Sequence, residues 1–352
     1  MRVLVAMSGG VDSSTVAGLL AEAGHEVIGA TLLLYDHGRS TGRKGTCCAG
    51  QDIHDAKNVA AHLGIAHYVI DAEERFRQSV INDFAASYAA GETPVPCVRC
   101  NQSVKFGDLL DLAGDLGADA MATGHYVQRI DGAQGPELHR AADDARDQSW
   151  FLFATTQAQL ARSLFPLGAI ATKDEVRAHA ARLGIAVAQK PDSQDICFVP
   201  QGSYADLVAK LRPDAAEAGE IVDREGNVLD RHRGVGSYTV GQAKRLGRAS
   251  GENVVIELDA ATRRVIVGPR HTGSTEVRLR ELNWLIEPPG SPRAITVKLR
   301  ARDVPRPASL VATGEGAVVT LAEPALAAPG QACVFYDGER VLGGGFIRRN
   351  AL

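Results

Sequence analysis

Apolar and polar positions follow two different rhythms along this chain. Up to about residue 203, short apolar runs alternate with helical stripes. Val3-Leu4-Val5-Ala6-Met7 is short enough for a buried strand. Behind it Val16, Leu19, Leu20 and Ala23 recur at helical spacing, with Gly24 as a left-handed stop. Glu26 to Leu34 reads as a strand, Ile53, Ala56, Ala60 and Leu63 as a helix face, and His67 to Ile70 as a strand. Val104 to Leu116 reads as a helix, and Ala120 to Thr123 as a strand running into Gly124-His125-Tyr126. Lys173 to Leu183 is again helical, followed by Ile185-Ala186-Val187 as a strand. This alternation predicts an α/β fold with a doubly wound parallel sheet and a site at the carboxyl ends of its strands.

After about residue 204 the helical stripes give way to short apolar runs between glycine and proline turns. They include Val254-Val255-Ile256, Val265-Ile266-Val267, Ile295-Thr296-Val297 and Cys333-Val334-Phe335-Tyr336. Such spacing predicts small β domains, with a barrel at the end. Glu287 to Pro292 reads as a linker or wide turn. The expected division is a nucleotide-binding domain over 1–203, a small central domain over 204–275 and a C-terminal β-barrel over 276–352.

The connection between the first strand and helix is Ser8-Gly9-Gly10-Val11-Asp12-Ser13-Ser14. A strand, a glycine turn and a helix N-terminus make an anion site: glycines let the backbone approach an oxyanion, and the N–H groups of the first turn point at it. Ser8, Ser13 and Ser14 add hydroxyls, and Asp12 puts a carboxylate where magnesium on a phosphate would sit. The Walker pattern Gly-x-x-x-x-Gly-Lys-Ser/Thr occurs nowhere in the chain.

Length and composition narrow the setting. A chain of 352 residues, 45% hydrophobic and 23% charged, fits two or three globular domains. No apolar run reaches the roughly 20 residues needed to span a bilayer. The N-terminus enters a strand directly, so a cytoplasmic protein without a signal peptide or membrane association is expected. The net charge of −4 argues against a generally basic nucleic-acid coat but not against local patches. From Arg231 to Gly251 there are five basic residues and no acidic one, and from Ser291 to Pro307 five against Asp303 alone, which favours a polyanion-binding surface in the β region.

Six cysteines, Cys47, Cys48, Cys97, Cys100, Cys197 and Cys333, are not expected to form structural disulfides in a cytosolic chain, so chemistry or metal binding is the question they raise. Cys97-Val98-Arg99-Cys100 alone fits redox, zinc and iron–sulfur roles equally. A cysteine near a helix start with Arg99 and Lys105 nearby is expected to ionise below the free thiol value of about 8.5. Cys197, between Ile196 and Phe198, reads either as chemistry or as a small buried hydrophobe. Cys47 and Cys48 lie in a Gly42 to Gly50 loop beside Arg43 and Lys44, and Cys333 reads as core.

The loop resembles the SGGxDS pyrophosphate loop of the ATP pyrophosphatase (PP-loop) superfamily, whose members cleave ATP between the α and β phosphates and adenylate an oxygen. Further motifs follow in order: Thr93-Pro94-Val95-Pro96 through Cys100-Asn101 to Lys105-Phe106, Ala122 to Tyr126, Arg146-Asp147-Gln148-Ser149, Ser193 to Phe198, and Gly330-Gln331 to Gly343-Gly344-Gly345. Their succession resembles the bacterial tRNA-specific 2-thiouridylase (MnmA) family over essentially the whole chain.

That resemblance implies a sulfurtransferase that replaces O2 of wobble uridine 34 in tRNA by sulfur, using ATP and Mg2+ and releasing AMP and pyrophosphate. It implies an ATP site of Ala6, Met7, Ser8, Gly9, Gly10, Val11, Asp12, Ser13, Leu32 and Gly124, with Asp12 also among the catalytic residues. Cys197 would carry a persulfide from an upstream carrier protein, and Cys100 would be its partner nucleophile, the two ending as a disulfide. His125, Arg146, Asp147, Gln148, Arg300, Ala301 and Gln331 would meet tRNA, and Gly236 to Gln242 resembles a central-domain segment reaching the RNA. Many members carry Asp where this chain has Cys97. The substitution leaves open a set Cys97, Cys100 and Cys197 for a 4Fe–4S cluster or zinc. Two other readings compete: a PP-loop synthetase passing an amine to an adenylated small molecule, and a nucleotide sensor with RNA-binding β domains and no catalysis.

Overall fold

Strand β1 (Arg2–Ala6) buries Val3, Leu4 and Val5 completely, as expected of a run with no polar face. It lies beside β2 (Glu26–Leu33) on one flank and β4 (Ala120–Ala122) on the other; β3 (Ala66–Asp71) extends the β2 side and Ser163–Leu164 the β4 side. Every pairing in this five-stranded sheet is parallel. The order is β3-β2-β1-β4-(163–164). The chain therefore leaves β1 toward one edge and later returns to its other side, which makes the carboxyl ends of β1 and β4 the topological switch point. Helix α1 (Val11–Glu22) follows β1, and α2 (Cys48–Leu63) precedes β3. Helix α3 (Lys173–Arg182) starts at a Thr172 cap whose side chain accepts from the Glu175 amide.

The computed structural model describes residues 1–35, 48–192, 196–199 and 204–349, with Cys48 and Ala49 described in backbone only. Most of the expected loop around Cys47, and Ser193 to Asp195, lie outside the described residues. One expected strand is absent: Ile185, Val187 and Ala188 are buried in the core of the sheet and its helices, but the backbone runs in turns there. The single helix expected over Val104 to Leu116 is instead a π-helix, Cys100–Asp108, continued by an α-helix, Leu109–Asp115.

The chain divides into two compact units. The first holds Met1–Ser79, Val98–Gln194 and Glu339–Val341; the second holds Val80–Cys97, Asp195–Gly338 and Leu342–Leu352. In the second, Asn253–Asp259, Arg264–Pro269, Gly219–Val222 and Val228–His232 form a four-stranded sheet. The strands from Ser274–Trp284 to Arg340–Ile347 form a barrel closed by pairing of its first strand with its last, Leu279 facing Ile347. Closure pairs the first and last barrel strands with each other instead of leaving both as edges. The barrel interior packs Val277, Val297, Leu310, Val319 and Phe335.

The segment 80–97 is held within the second unit by backbone and side chains together. Thr93 donates its amide to the Pro329 carbonyl at 2.7 Å, and Glu92 pairs with Arg280 at 2.6 Å. Gly330, at φ +85°, sits where a β-carbon would press Glu92 and Thr93, so this contact needs glycine.

Candidate functional site

The switch point carries the expected loop. Met7 is anchored on both backbone groups: its amide donates to the Ala30 carbonyl at 2.8 Å and its carbonyl accepts from the Thr31 hydroxyl at 2.7 Å. Gly9 then takes a left-handed φ of +76° and Gly10 caps α1. The Ser13 hydroxyl accepts from the Ser8 amide at 3.0 Å and lies 3.2 Å from the Ser8 hydroxyl, closing the loop on itself. Val11 and Ser13 are buried, whereas Ser8 is exposed. Ala6 ends β1, and Leu32 sits half-buried near the end of β2.

Two elements press on the loop. From the β4 side comes Gly124, whose added β-carbon would lie 3.0 Å from the Asp12 side chain and 3.0 Å from the Ser13 amide. From the other side comes α2, where the Asp52 carbonyl occupies the space a side chain at residue 9 would need. Lys190 fastens this second contact by donating to the Gly9 carbonyl at 3.0 Å, Asp52 at 2.7 Å and Asp55 at 2.5 Å. Burial opposes charging of Lys190, yet the two carboxylates outweigh it and raise its pKa, while Asp55 is held below the usual carboxylate value.

Asp12 is not an open carboxylate. Its two oxygens accept from the Lys173 ammonium at 2.6 and 2.8 Å, and the Tyr126 hydroxyl donates to Oδ1 at 2.7 Å. Lys173 also pairs with Asp192 at 2.9 Å, and its side chain is only 9% exposed. Arg146 reaches the other Asp192 oxygen at 2.5 Å. Burial pulls the Asp192 carboxyl up, but hydrogen bonds from Lys173 and Arg146 prevail and hold it low. Burial and the Asp12 carboxylate keep the Tyr126 phenol protonated. A magnesium ion on Asp12 would share that carboxylate with a resident ammonium, so the arrangement does not fit the expected metal.

The segments expected to meet tRNA are partly brought together. The Gln148 amide donates to the Tyr126 carbonyl at 3.0 Å, and its side-chain oxygen accepts from the Tyr126 amide at 2.9 Å. His125 is thereby placed in the same corner, with Nδ1 2.9 Å from the Thr123 hydroxyl and its ring over Phe106. Burial and nearby Lys105 push the His125 pKa down to about 3, so it is neutral. Asp147 turns inward, with a side chain 1% exposed that accepts from the Ala141 and Ser149 amides, so its carboxylate is a loop staple.

In the second unit, Gln331 donates to the Thr93 carbonyl at 3.1 Å, so its amide holds the segment leading to Cys97. Arg300 is exposed and packs its guanidinium against Gly241, φ +89°, in the expected RNA-reaching segment; Ala301 is half-buried beside it. Cys97 and Cys197 are exposed, and Cys100, buried, opens the π-helix. Phe198 takes the core role that Cys197 also offered, packing edge-on against Phe84 with ring centroids 5.3 Å apart. Cys333 is core, as expected. Among the described residues no three His, Cys, Asp or Glu side chains are grouped as metal ligands, and that includes Cys97, Cys100 and Cys197. No described helix is long and apolar enough to cross a membrane.

Sequence reasoning missed Lys173, Lys190, Tyr126 and Asp192 as site residues. Lys190 and Asp192 stand just before the Ser193 to Phe198 motif, and Tyr126 follows His125, so position beside or within the motifs was the available signal.

A parallel sheet with a left-handed glycine loop at its switch point, flanked by Gly124, defines a nucleotide-binding protein of the ATP-using PP-loop class. Family models described as "tRNA methyl transferase HUP domain", "tRNA methyl transferase PRC-barrel domain" and "Aminomethyltransferase beta-barrel domain" match residues 1–201, 206–269 and 274–347. A "tRNA-specific 2-thiouridylase MnmA" of Acidiphilium cryptum is 70% identical over 347 residues, 99% of this chain and 100% of the relative. Its namesake in Gluconobacter oxydans is 60% identical over 358 residues, 99% of each. The chain belongs to the tRNA-specific 2-thiouridylase (MnmA) family.

Proposed function

We propose that this protein is a tRNA 2-thiouridylase: it adenylates O2 of the wobble uridine of its tRNA with ATP and replaces that oxygen by sulfur. The single observation that carries the reading is identity along the whole length of relatives bearing that name, with the pyrophosphate loop, Gly124, Cys100 and Cys197 all in place.

The chemistry accounts for the parts. The uracil C2 carbonyl is a poor electrophile because oxide does not leave. Attack of O2 on the α-phosphorus of ATP, with loss of the N3 proton, makes AMP the leaving group and sends pyrophosphate into the loop, whose N–H groups take up its charge. An upstream carrier protein loads Cys197 with a persulfide. The Cys100 thiolate attacks it and releases hydrosulfide, which adds at C2 and expels AMP; the two cysteines are left as a disulfide that an external thiol reduces. Exposure of Cys197 suits loading by a carrier, and Phe198 supports the loop that bears it.

In this reading Cys97 is not a cluster ligand, and the route through a 4Fe–4S cluster is the alternative to test. We also read residues 1–203 as the catalytic module, 204–275 as a central tRNA-contacting module and 276–352 as the barrel, with His125, Arg146, Gln148 and Arg300 as the side chains that meet RNA. The methyl transferase wording of two domain models names another chemistry, which would release no AMP.

The experiment is anaerobic incubation of the full chain with tRNA transcript, ATP and a persulfide donor, reading AMP and the anticodon nucleosides by mass spectrometry. Formation of 2-thiouridine, lost in Cys100→Ala and Cys197→Ala, is the expected result. Thiolation that survives both substitutions, or depends on bound iron, overturns the persulfide route; amine transfer to a small molecule without tRNA overturns the substrate.

A further inference from the structure

Lys173 stands at the mouth of the pyrophosphate loop in a setting that a stabilising ion pair alone does not require. Its ammonium has three N–H donors, and all three are placed: two on Asp12 and one on Asp192. The double contact on Asp12 is redundant. Asp12 also receives the Tyr126 hydroxyl, so it stays hydrogen-bonded if Lys173 withdraws one donor. Asp192 is more firmly tied, with Arg146 on its second oxygen and Arg177 at 3.8 Å.

A polyphosphate entering the N–H cradle of α1 brings several negative charges up to Asp12, the second residue of that helix. Two anions side by side at a half-buried site repel unless a cation stands between them. Lys173 is a cation already there, and one of its N–H groups can change partner without leaving either carboxylate bare.

We propose that Lys173 is a catalytic cation of this site, passing one N–H from Asp12 to the departing pyrophosphate, and that Asp192 is the positioning residue that keeps its ammonium at the loop. This rests on the thiouridylase reading. As uridine O2 bonds to the α-phosphorus, the bridge to the β-phosphorus breaks and its electron pair leaves on pyrophosphate. Lys173 remains protonated throughout and neither gives nor takes a proton.

The test uses the full chain and the variants Lys173→Met, Lys173→Arg, Asp192→Asn and Asp192→Glu. Calorimetry in chelator with inorganic pyrophosphate reads the site without chemistry, and AMP release on tRNA transcript reads the reaction. Loss of a preorganised donor to developing charge typically slows a step by about 10²–10³-fold. Lys173→Met is expected to slow AMP release to that degree and to weaken pyrophosphate binding by about tenfold or more, with tRNA retention on filters unchanged. Asp192→Asn is expected to raise the KM for ATP more than it lowers kcat, and Asp192→Glu to recover part of both.

Wild-type pyrophosphate affinity and AMP release in Lys173→Met overturn the proposal. If that variant does not fold, Lys173→Arg decides: its planar fork cannot reproduce the ammonium's three contacts, so a slowed rate with intact tRNA binding supports the proposal and a wild-type rate overturns it. A wild-type chain that binds pyrophosphate through Lys173 but releases no AMP sinks the thiouridylase reading and leaves Lys173 as the pyrophosphate ligand.

Discussion

The backbone carbonyl oxygen of Asp52 lies 2.1 Å from where a β-carbon on Gly9 would be. Helix α2 thus rests on the pyrophosphate loop with no room for a side chain, and the loop residue also carries a left-handed φ. An L residue in that conformation costs about 1–2 kcal/mol before any clash. Gly9→Ala is expected to lower the unfolding midpoint and to weaken ATP binding by about tenfold or more, since about 1.4 kcal/mol corresponds to tenfold. Thermal unfolding and calorimetry with a non-hydrolysable ATP analogue check both; an unchanged affinity would mean that α2 can lift without disturbing the cradle.

Lys190 is the second fastener of the same contact. Lys190→Met keeps the stem but leaves Asp52 and Asp55 facing each other without their cation. Because both partners are partly solvated, the expected loss is about 1–2 kcal/mol, well under that of a fully buried pair. Asp55→Asn in the Lys190→Met background removes part of the repulsion. Urea unfolding of the single and double variants reads it, and additive losses would show that the groups do not interact.

His125 fixes a pH dependence. Its folded pKa is depressed to about 3, against about 6.5 for an unfolded histidine. Between those values the unfolded chain binds the proton and the folded chain does not, so this group's contribution is intact above pH 6.5 and declines as pH falls toward 3. Asp192, whose pKa is also lowered, adds a loss only below the ordinary carboxylate range. The stability of His125→Gln should therefore change less than that of the wild type between pH 6.5 and 4. A His125 ring that titrates near neutrality by NMR would contradict the desolvation that lowers its pKa.

Gln331 separates support from recognition. Its hydrogen bond to the Thr93 carbonyl is worth about 1 kcal/mol. Gln331→Ala is expected to lower stability by that amount while leaving the salt dependence of tRNA binding unchanged, since no phosphate-neutralising charge is lost. A shallower salt slope would show that the variant also displaces a charged RNA contact.

Phe198 offers a way to disturb sulfur transfer alone. It is buried, and truncating a core phenylalanine costs about 3–5 kcal/mol, here concentrated on the segment that carries Cys197. Phe198→Leu keeps part of the packing. Slowed thiolation with AMP formation and tRNA binding near wild type is expected, read by separate assays of AMP and 2-thiouridine.

Much of the fold was legible because the first unit obeys local rules. The apolar run Val3 to Met7, the glycine pair and the α1 stripe are consecutive in sequence, and the structure joins them as read. The strand expected at Ile185 to Val187 failed because burial alone does not distinguish a strand from a packed turn. The π-helix at Cys100 was invisible to a search for period 3.6. On the charged side of the site, motif position could flag residues but not pair them: Lys173 meets Asp12 across 161 residues and Lys190 meets Asp52 across 138, and no local pattern encodes such partners. Asp147 and Gln331 show what motif position does not convey: their side chains also hold the protein's own backbone.

The segment 80–97 has a consequence for biosynthesis. It leaves the ribosome early, yet its partners Arg280, Pro329 and Gln331 emerge only near the end of translation. The stretch that presents Cys97 and leads directly to Cys100 therefore gains these last fastenings only when the barrel has been made, although Phe84 and Tyr88 find Phe198 and Tyr204 earlier. A nascent chain halted before residue 280 would carry a complete phosphate loop and a thiol-bearing arm whose Glu92 and Thr93 lack their final partners.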